Sequence, residues 1–137
     1  MKPEAVICDI DGTLALRGER DPHDLEHVGD DKVNRPVAVV LRALYAMGYR
    51  IVFTSGRQES CRPATKQWIE DNTYVESFDL HMRGNHDGRP DSEVKREMLD
   101  IVRLDYQVFL VLDDRDSVVK MWRDNHIPTW QVNWGEF

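Results

Sequence analysis

The sequence predicts an α/β fold: a single Rossmann-like domain with a mostly parallel sheet and helices on both faces. Three observations lead there. Short apolar runs of strand length alternate with segments of helical periodicity along the chain. Several of those runs end in Asp, Gly, Ser or Thr, which places polar residues at the carboxyl ends of the strands. The length, 137 residues, suits one compact domain, so residues 1–137 are expected to form one unit.

Taken in order, Ala5 to Cys8 is a buried strand that feeds a turn at Asp9. Leu14 to Asp31 is polar and charged and is expected to be irregular. Asn34-Arg35-Pro36 starts a helix, with Asn as cap and Pro in the first turn. Val37, Val40, Leu41, Leu44 and Met47 then follow at helical spacing, and Gly48 closes the helix. Arg50 to Thr54 is a second strand. Pro63 to Asp71 is a helix with Ala64, Trp68 and Ile69 inward, and Phe78 to Met82 a third strand. Arg83 to Pro90 is a Gly/Asn/Pro loop. Asp91 or Ser92 caps a helix whose Val94, Met98 and Ile101 face the core. Val108 to Leu112 is the most apolar strand, Ser117 to Asn125 a helix, and Thr129 to Val132 a short final strand.

Hydrophobic residues make up 41% of the chain, enough for a core. No apolar run approaches the roughly 20 residues that span a bilayer. No signal-peptide pattern is visible either, so no membrane role and a cytoplasmic location are expected. Cys8 and Cys61 form neither a CxxC pair nor a zinc spacing and read as ordinary thiols. The five histidines, His23, His27, His81, His86 and His126, make no metal-ligating pattern. A formal net charge of −7 opposes non-specific coating of polyanions, yet leaves room for a nucleic-acid end held by a few local cations.

The chemistry concentrates at the predicted strand ends. The first strand delivers Asp9-Ile10-Asp11-Gly12-Thr13, the second Thr54-Ser55-Gly56-Arg57, and the fourth Asp113-Asp114, while Lys95 lies one turn into the preceding helix. A parallel sheet brings all of them to one edge. Like-charged carboxylates at ~4 Å and an effective dielectric of ~20 repel by about 4 kcal/mol per pair. Such a group either holds protons or surrounds a cation. Hard oxygen ligands without Cys or His point to Mg²⁺. Lys95 and Ser55 supply donors for an anion, as do backbone N–H groups after Asp9 and Ser55. Taken singly, a DxD is usually a turn, a Ser-Gly is weaker still, and an Asp-Asp pair can be a helix cap. Their occurrence in order, each at a strand end or helix start, favours phosphoryl transfer.

Asp9-Ile10-Asp11-Gly12-Thr13, Ser55, Lys95 and Asp113-Asp114 resemble the four motifs of haloacid dehalogenase-like (HAD) phosphatases. Across nearly the whole chain the sequence is similar to the 3′-phosphatase domain of phage-type polynucleotide kinase/phosphatase. That likeness rests on Asp11-Gly12-Thr13-Leu14-Ala15, Arg20, Pro22, Asp24-Leu25-Glu26, Ala46-Met47-Gly48-Tyr49 and Ser55-Gly56-Arg57. It continues through Asp91, Val94-Lys95, Asp113-Asp114-Arg115, Met121-Trp122-Arg123 and Trp130-Gln131-Val132. The resemblance implies that Asp9 is the nucleophile and becomes acylphosphate, and that Asp11 is the general acid and base. It implies Mg²⁺ on the side chain of Asp9, the backbone carbonyl of Asp11 and the Asp113-Asp114 pair, with Ser55, Gly56 and Lys95 at the phosphate. Arg20, Arg57 and Asp91 match positions that matter in that family. Without the resemblance, Arg20 reads as a surface arginine and Asp91 as a helix cap that orients Lys95.

The implied activity is removal of 3′-terminal phosphate from DNA or RNA ends. The sequence has no GxxxxGK[ST] loop, so no kinase activity is expected of it. Either it works alone or a kinase or ligase partner is another chain. The gaps at 14–31 and 83–90 are too short for the cap domain of many superfamily members, so no cap and an open site are expected. Trp68 and Trp122 read as core; Trp134 is the freer candidate for stacking on a base, against a tail that packs down. Arg62, Lys66, Arg83 and Arg89 read as surface charge sooner than as backbone contacts. The alternatives are a phosphatase of mononucleotides or other small phosphomonoesters, and a catalytically degenerate module that binds nucleic-acid ends. A phospho-accepting receiver domain is disfavoured, because there the lysine follows the last strand and here Lys95 precedes Asp113.

Overall fold

The computed structural model describes residues 1–137. The elements follow in the order β1 (Glu4–Asp9), β2 (Ala15–Leu16), β3 (Lys32–Val33), α1 (Arg35–Ala46), β4 (Arg50–Gln58), α2 (Arg62–Thr73), β5 (Asp79–Arg83), α3 (Asp91–Asp105), β6 (Gln107–Asp113), α4 (Asp116–Asp124) and β7 (Thr129–Gln131). Five strands form one parallel sheet in the order β5-β4-β1-β6-β7, and β2 and β3 make a small antiparallel pair.

Side chains along β1 alternate between two cores, as a pleated strand dictates. Val6 and Cys8 pack with Ile51, Phe53, Leu110 and Leu112 under Val37 and Leu41 of α1 and Trp68 and Ile69 of α2. Ala5 and Ile7 pack on the other face with Val52, Val111, Leu99 and Val102 of α3, and Val118 and Trp122 of α4. The α/β class and the helices on both faces therefore stand as the sequence predicts. The chain runs from β1 outward to β5 and then returns to the far side of β1 as β6. The order reverses at β1, and the crevice at such a reversal, beyond the carboxyl ends, is where these sheets bind ligands.

Several local expectations change. Asn34 precedes α1, but its side chain caps nothing. It donates to the Thr13 carbonyl at 2.9 Å, tying the helix start to the turn after β1. Met47 and Ala64 are exposed, and Thr65 fills the inward place expected of Ala64. Ile101 is 51% exposed: the inward stripe of α3 is Val94, Lys95, Met98, Leu99 and Val102, which leaves Ile101 at its margin. The 14–31 segment is not wholly irregular. Leu14, Ala15 and Val28 are fully buried, and a single 3₁₀ turn spans Val28–Asp30. Neither this segment nor the 84–90 loop holds a folded cap. No helix is long and apolar enough to cross a membrane.

Candidate active site

The carboxyl end of β1 is the origin of the site. Asp9 is its last residue and pairs in register with Thr54 of β4. The chain then turns sharply: the N–H groups of Thr13, Leu14 and Ala15 all converge on the Ile10 carbonyl. Gly12 takes φ +84°, and a β-carbon there would lie 2.2 Å from an Asp114 carboxylate oxygen, so only glycine fits. The close approach of these two loops brings Asp9, Asp113 and Asp114 together, with one ligand atom from each lying within 4.8 Å of the others.

Lys95 enters from α3, 2% exposed, and its ammonium donates to Asp9 Oδ1 at 2.7 Å and Asp113 Oδ2 at 3.1 Å. Thr13 Oγ1 lies 3.1 Å from both Asp9 Oδ2 and Asp114 Oδ1. Asp113 is the most anchored of the three carboxylates. Its Oδ1 accepts the Asp114 N–H at 2.8 Å, and its Oδ2 also accepts Trp122 Nε1 at 3.1 Å.

One ammonium among three buried carboxylates leaves excess negative charge. Burial pushes Asp9 well above the usual carboxylate range, and Asp113 raises it further. Asp114 is raised too, again chiefly by burial. Burial acts to lower Lys95, but the charges of Asp113 and Asp9 outweigh it and the ammonium is held protonated. Such a cluster of hard oxygen donors, short of two positive charges, fits a divalent cation.

A second network holds Asp11 apart from this cluster. Arg57 forks onto it, Nε to Oδ2 at 2.9 Å and Nη2 to Oδ1 at 2.7 Å. Arg57 and Arg20 both lean on Asp31, which is buried. Arg20 meets its two oxygens at 2.7 and 2.9 Å, and Arg57 meets one at 3.2 Å. Arg20 Nη2 also comes within 3.5 Å of Asp11. Arg20 is thus no surface arginine; its side chain is 8% exposed.

On β4, Ser55 is fully buried and its Oγ accepts the Arg57 N–H at 3.0 Å. The hydroxyl proton stays free for an acceptor. Gly56 follows, with its carbonyl taken by Arg83 Nε at 3.0 Å. Asp91 does not cap α3: its carboxylate is held by Arg83, and by Arg115 at 3.0 Å. Arg83 also donates to the Asp87 and Arg89 carbonyls, so it anchors the 84–90 loop rather than decorating the surface. Arg62 and Arg89 pair with Glu59, and with Asp87 and Glu97. Cys8 and Cys61 are free and buried.

The structure brings Asp9, Lys95, Asp113 and Asp114 into direct contact, and sets Asp11, Arg57 and Arg20 beside them. Sequence reasoning missed Asp31. The signal was indirect: two arginines near one carboxylate, Asp11, leave a surplus of positive charge that buried guanidinium groups do not tolerate.

The profile of the polynucleotide kinase PNKP phosphatase domain matches residues 3–137. The chain belongs to that family. It is 38% identical over 130 residues to a protein of Autographa californica nuclear polyhedrosis virus named "Putative bifunctional polynucleotide kinase/RNA ligase", covering 93% of this chain and 19% of the viral one. A chain in a structure of the Pnkp1/Rnl/Hen1 RNA repair complex superposes with a TM-score of 0.92 at 40% identity, over 99% of this chain and 44% of that one. The class C acid phosphatase of Bacillus anthracis, solved with tungstate bound, shares the fold at a TM-score of 0.69 and 12% identity, over 97% of this chain and 69% of that one. The family thus sits on the HAD phosphatase fold, whose members generally use a divalent metal. The chain spans under half the length of the repair-complex chain and about a fifth of the viral relative.

Proposed function

We propose that residues 1–137 form one catalytic domain that removes 3′-terminal phosphate from DNA or RNA ends with Mg²⁺, through an aspartyl-phosphate on Asp9. The observation that carries this reading is the division of labour between two carboxylates of one turn. Asp9 lies in the buried acidic cluster against Lys95, while Asp11, two residues on, is turned away onto Arg57.

Asp9, Asp113 and Asp114 would hold Mg²⁺, with the Asp11 backbone carbonyl. Bound there, the ion would neutralise charge on the phosphate oxygens and on the acidic cluster. Lys95 and the Ser55 hydroxyl hold the phosphate together with the Gly56 backbone, whose lack of a β-carbon makes room for the Asp91 carboxylate. In the first step an Asp9 oxygen attacks phosphorus. The bond from phosphorus to O3′ breaks with its electron pair on oxygen, and Asp11 delivers the proton that oxygen takes. In the second, Asp11 removes a proton from water, whose oxygen attacks the phosphorus of the aspartyl-phosphate and releases the Asp9 carboxylate. Arg57 holds Asp11 beside the site, one of its oxygens leaving the fork to carry each proton, and Arg57 is itself held by Asp31, which Arg20 anchors. Asp91, clamped by Arg83 and Arg115, fixes the start of α3 and with it Lys95.

The short 14–31 and 84–90 segments support access for a polymer end. The names of the relatives support kinase and ligase activities working beside this domain, on other segments or other chains. The test is phosphate release from matched DNA and RNA oligonucleotides bearing 3′- or 5′-phosphates and from a 3′-mononucleotide, with Mg²⁺ and with EDTA. Release from 3′-ends that stops in EDTA is expected. Activity confined to 5′-ends or to 3′-mononucleotides would defeat the polymer-end reading.

A further inference from the structure

The segment after β7 runs back over the rim of the site and is fastened on both sides of one residue. Before it, Gln131 Nε2 donates to the Asp114 carbonyl at 2.9 Å and Val132 N–H to the Asp113 carbonyl at 3.0 Å. The Asn133 amide reaches the Gly12 carbonyl at 3.5 Å. After it, Gly135 lies so close that a β-carbon would sit 1.8 Å from the Asp114 carbonyl oxygen. The Gly135 carbonyl also accepts the Asp116 N–H at 2.6 Å. Every fastening point belongs to the two loops that carry the acidic cluster, or to the start of α4.

Between those anchors stands Trp134, 89% exposed. Its N–H is held by Asn133 Oδ1 at 2.9 Å, so the backbone that presents the indole is fixed. An indole left in water forgoes the stabilisation that burial gives a large aromatic surface. Trp68 and Trp122 are buried in the two cores, and Trp130, 56% exposed, is paired within the sheet with Leu112, one residue before Asp113. Trp134 is therefore the tryptophan that combines a rigid mount, free faces and a place at the mouth.

We propose that Trp134 is a stacking platform for the base of the nucleotide that carries the phosphate to be removed. A flat, sequence-tolerant π surface suits an enzyme that meets ends of any sequence, because every base has a π face. It also gives a chain of net charge −7 a way to hold a polyanion's end without a basic groove. The proposal rests on the 3′-phosphatase reading above.

The experiment compares kcat/KM on two hexadeoxynucleotides with a 3′-phosphate, one ending in thymidine and one in an abasic tetrahydrofuran residue. The wild-type chain is expected to prefer the base-bearing end by about 5- to 150-fold, mostly through KM. Trp134→Ala is expected to lose that preference, and Trp134→Phe to keep most of it. A wild-type chain indifferent to the base, or a Trp134→Ala chain that discriminates as well as wild type, overturns the platform alone. A wild-type chain inert on both oligonucleotides and on their ribonucleotide counterparts overturns the 3′-phosphatase reading, and the platform with it.

Discussion

Two ion-pair networks meet at the end of β1, and they are built from different cations. In the acidic cluster one lysine serves two aspartates, Asp9 and Asp113. In the neighbouring network two arginines serve two aspartates, Asp11 and Asp31, mostly through paired bonds. The lysine is a point charge that touches one oxygen of each partner. It leaves the cluster undercharged, with oxygen atoms available to a further cation and, on the proposed mechanism, to phosphorus. The arginines are planar forks that occupy both oxygens of each carboxylate and fix its plane. The first arrangement keeps a carboxylate reactive; the second holds one still.

The largest effect should come from the reactive half. Asp9→Asn keeps the shape and removes the attacking charge, so turnover should fall by about 10⁴-fold or more. The measurement is phosphate release at saturating substrate, with a circular dichroism spectrum to show the fold intact. Wild-type rates would sink the assignment of Asp9 as nucleophile.

Asp31→Asn attacks the still half at its buried centre. Removing that charge takes from Arg20 its paired carboxylate and leaves Asp11 to serve two guanidinium groups, and the loss of stability should be about 3–5 kcal/mol by urea unfolding. An effect within ~0.5 kcal/mol would mean that Arg20 and Arg57 find other partners. Arg57→Lys is milder, since it keeps the charge and loses the fork. It should lower kcat by about 10- to 100-fold through misalignment of Asp11, with little change in melting temperature. An unchanged kcat would show that Asp11 needs no such mount.

The smallest effect belongs to an exposed pair in the 14–31 segment, His27 and Asp24, at 2.8 Å. The hydrogen bond to Asp24, then its charge, raises the imidazole above its ordinary value. The pair's contribution is thus full below the unfolded histidine pKa of about 6.5, and fades as pH rises through the higher folded value. A chemical-denaturation series on Asp24→Asn should differ from wild type slightly at pH 6 and not at pH 9. A difference that grows toward alkaline pH would reverse the sign argued here.

The reactive half was legible because its members close recognisable local patterns. Asp9 and Asp113 each end an apolar strand and Ser55 follows the apolar part of β4, which runs on to Gln58, and a parallel sheet must bring such positions together. Lys95 was legible from its place one turn into the helix before the strand that ends at Asp113. The still half was harder to read. Asp31 sits in a polar stretch beside Asp30 and Lys32, and nothing local separates the buried carboxylate from its neighbours. Asn34 looked like a cap because its neighbours fit that role, whereas its amide serves the Thr13 carbonyl 21 positions away. Ile101 looked inward because its spacing from Val94 is helical, but the buried stripe of α3 runs through Lys95, Leu99 and Val102.

By itself the sequence determined the α/β class, the strand ends that bear Asp9, Asp11, Ser55 and Asp113-Asp114, and the surplus of acid calling for a cation. Periodicity and turn chemistry act over a few residues, so they can be read along the chain. Tertiary structure alone decided that Arg20 and Arg57 share Asp31, that Arg83 binds Asp91 and the Gly56 carbonyl, and that Trp134 stands at the rim. Those pairings depend on how separate elements pack against one another, and the chain pattern carries no separate mark for a charge whose partner arrives only when the sheet has closed.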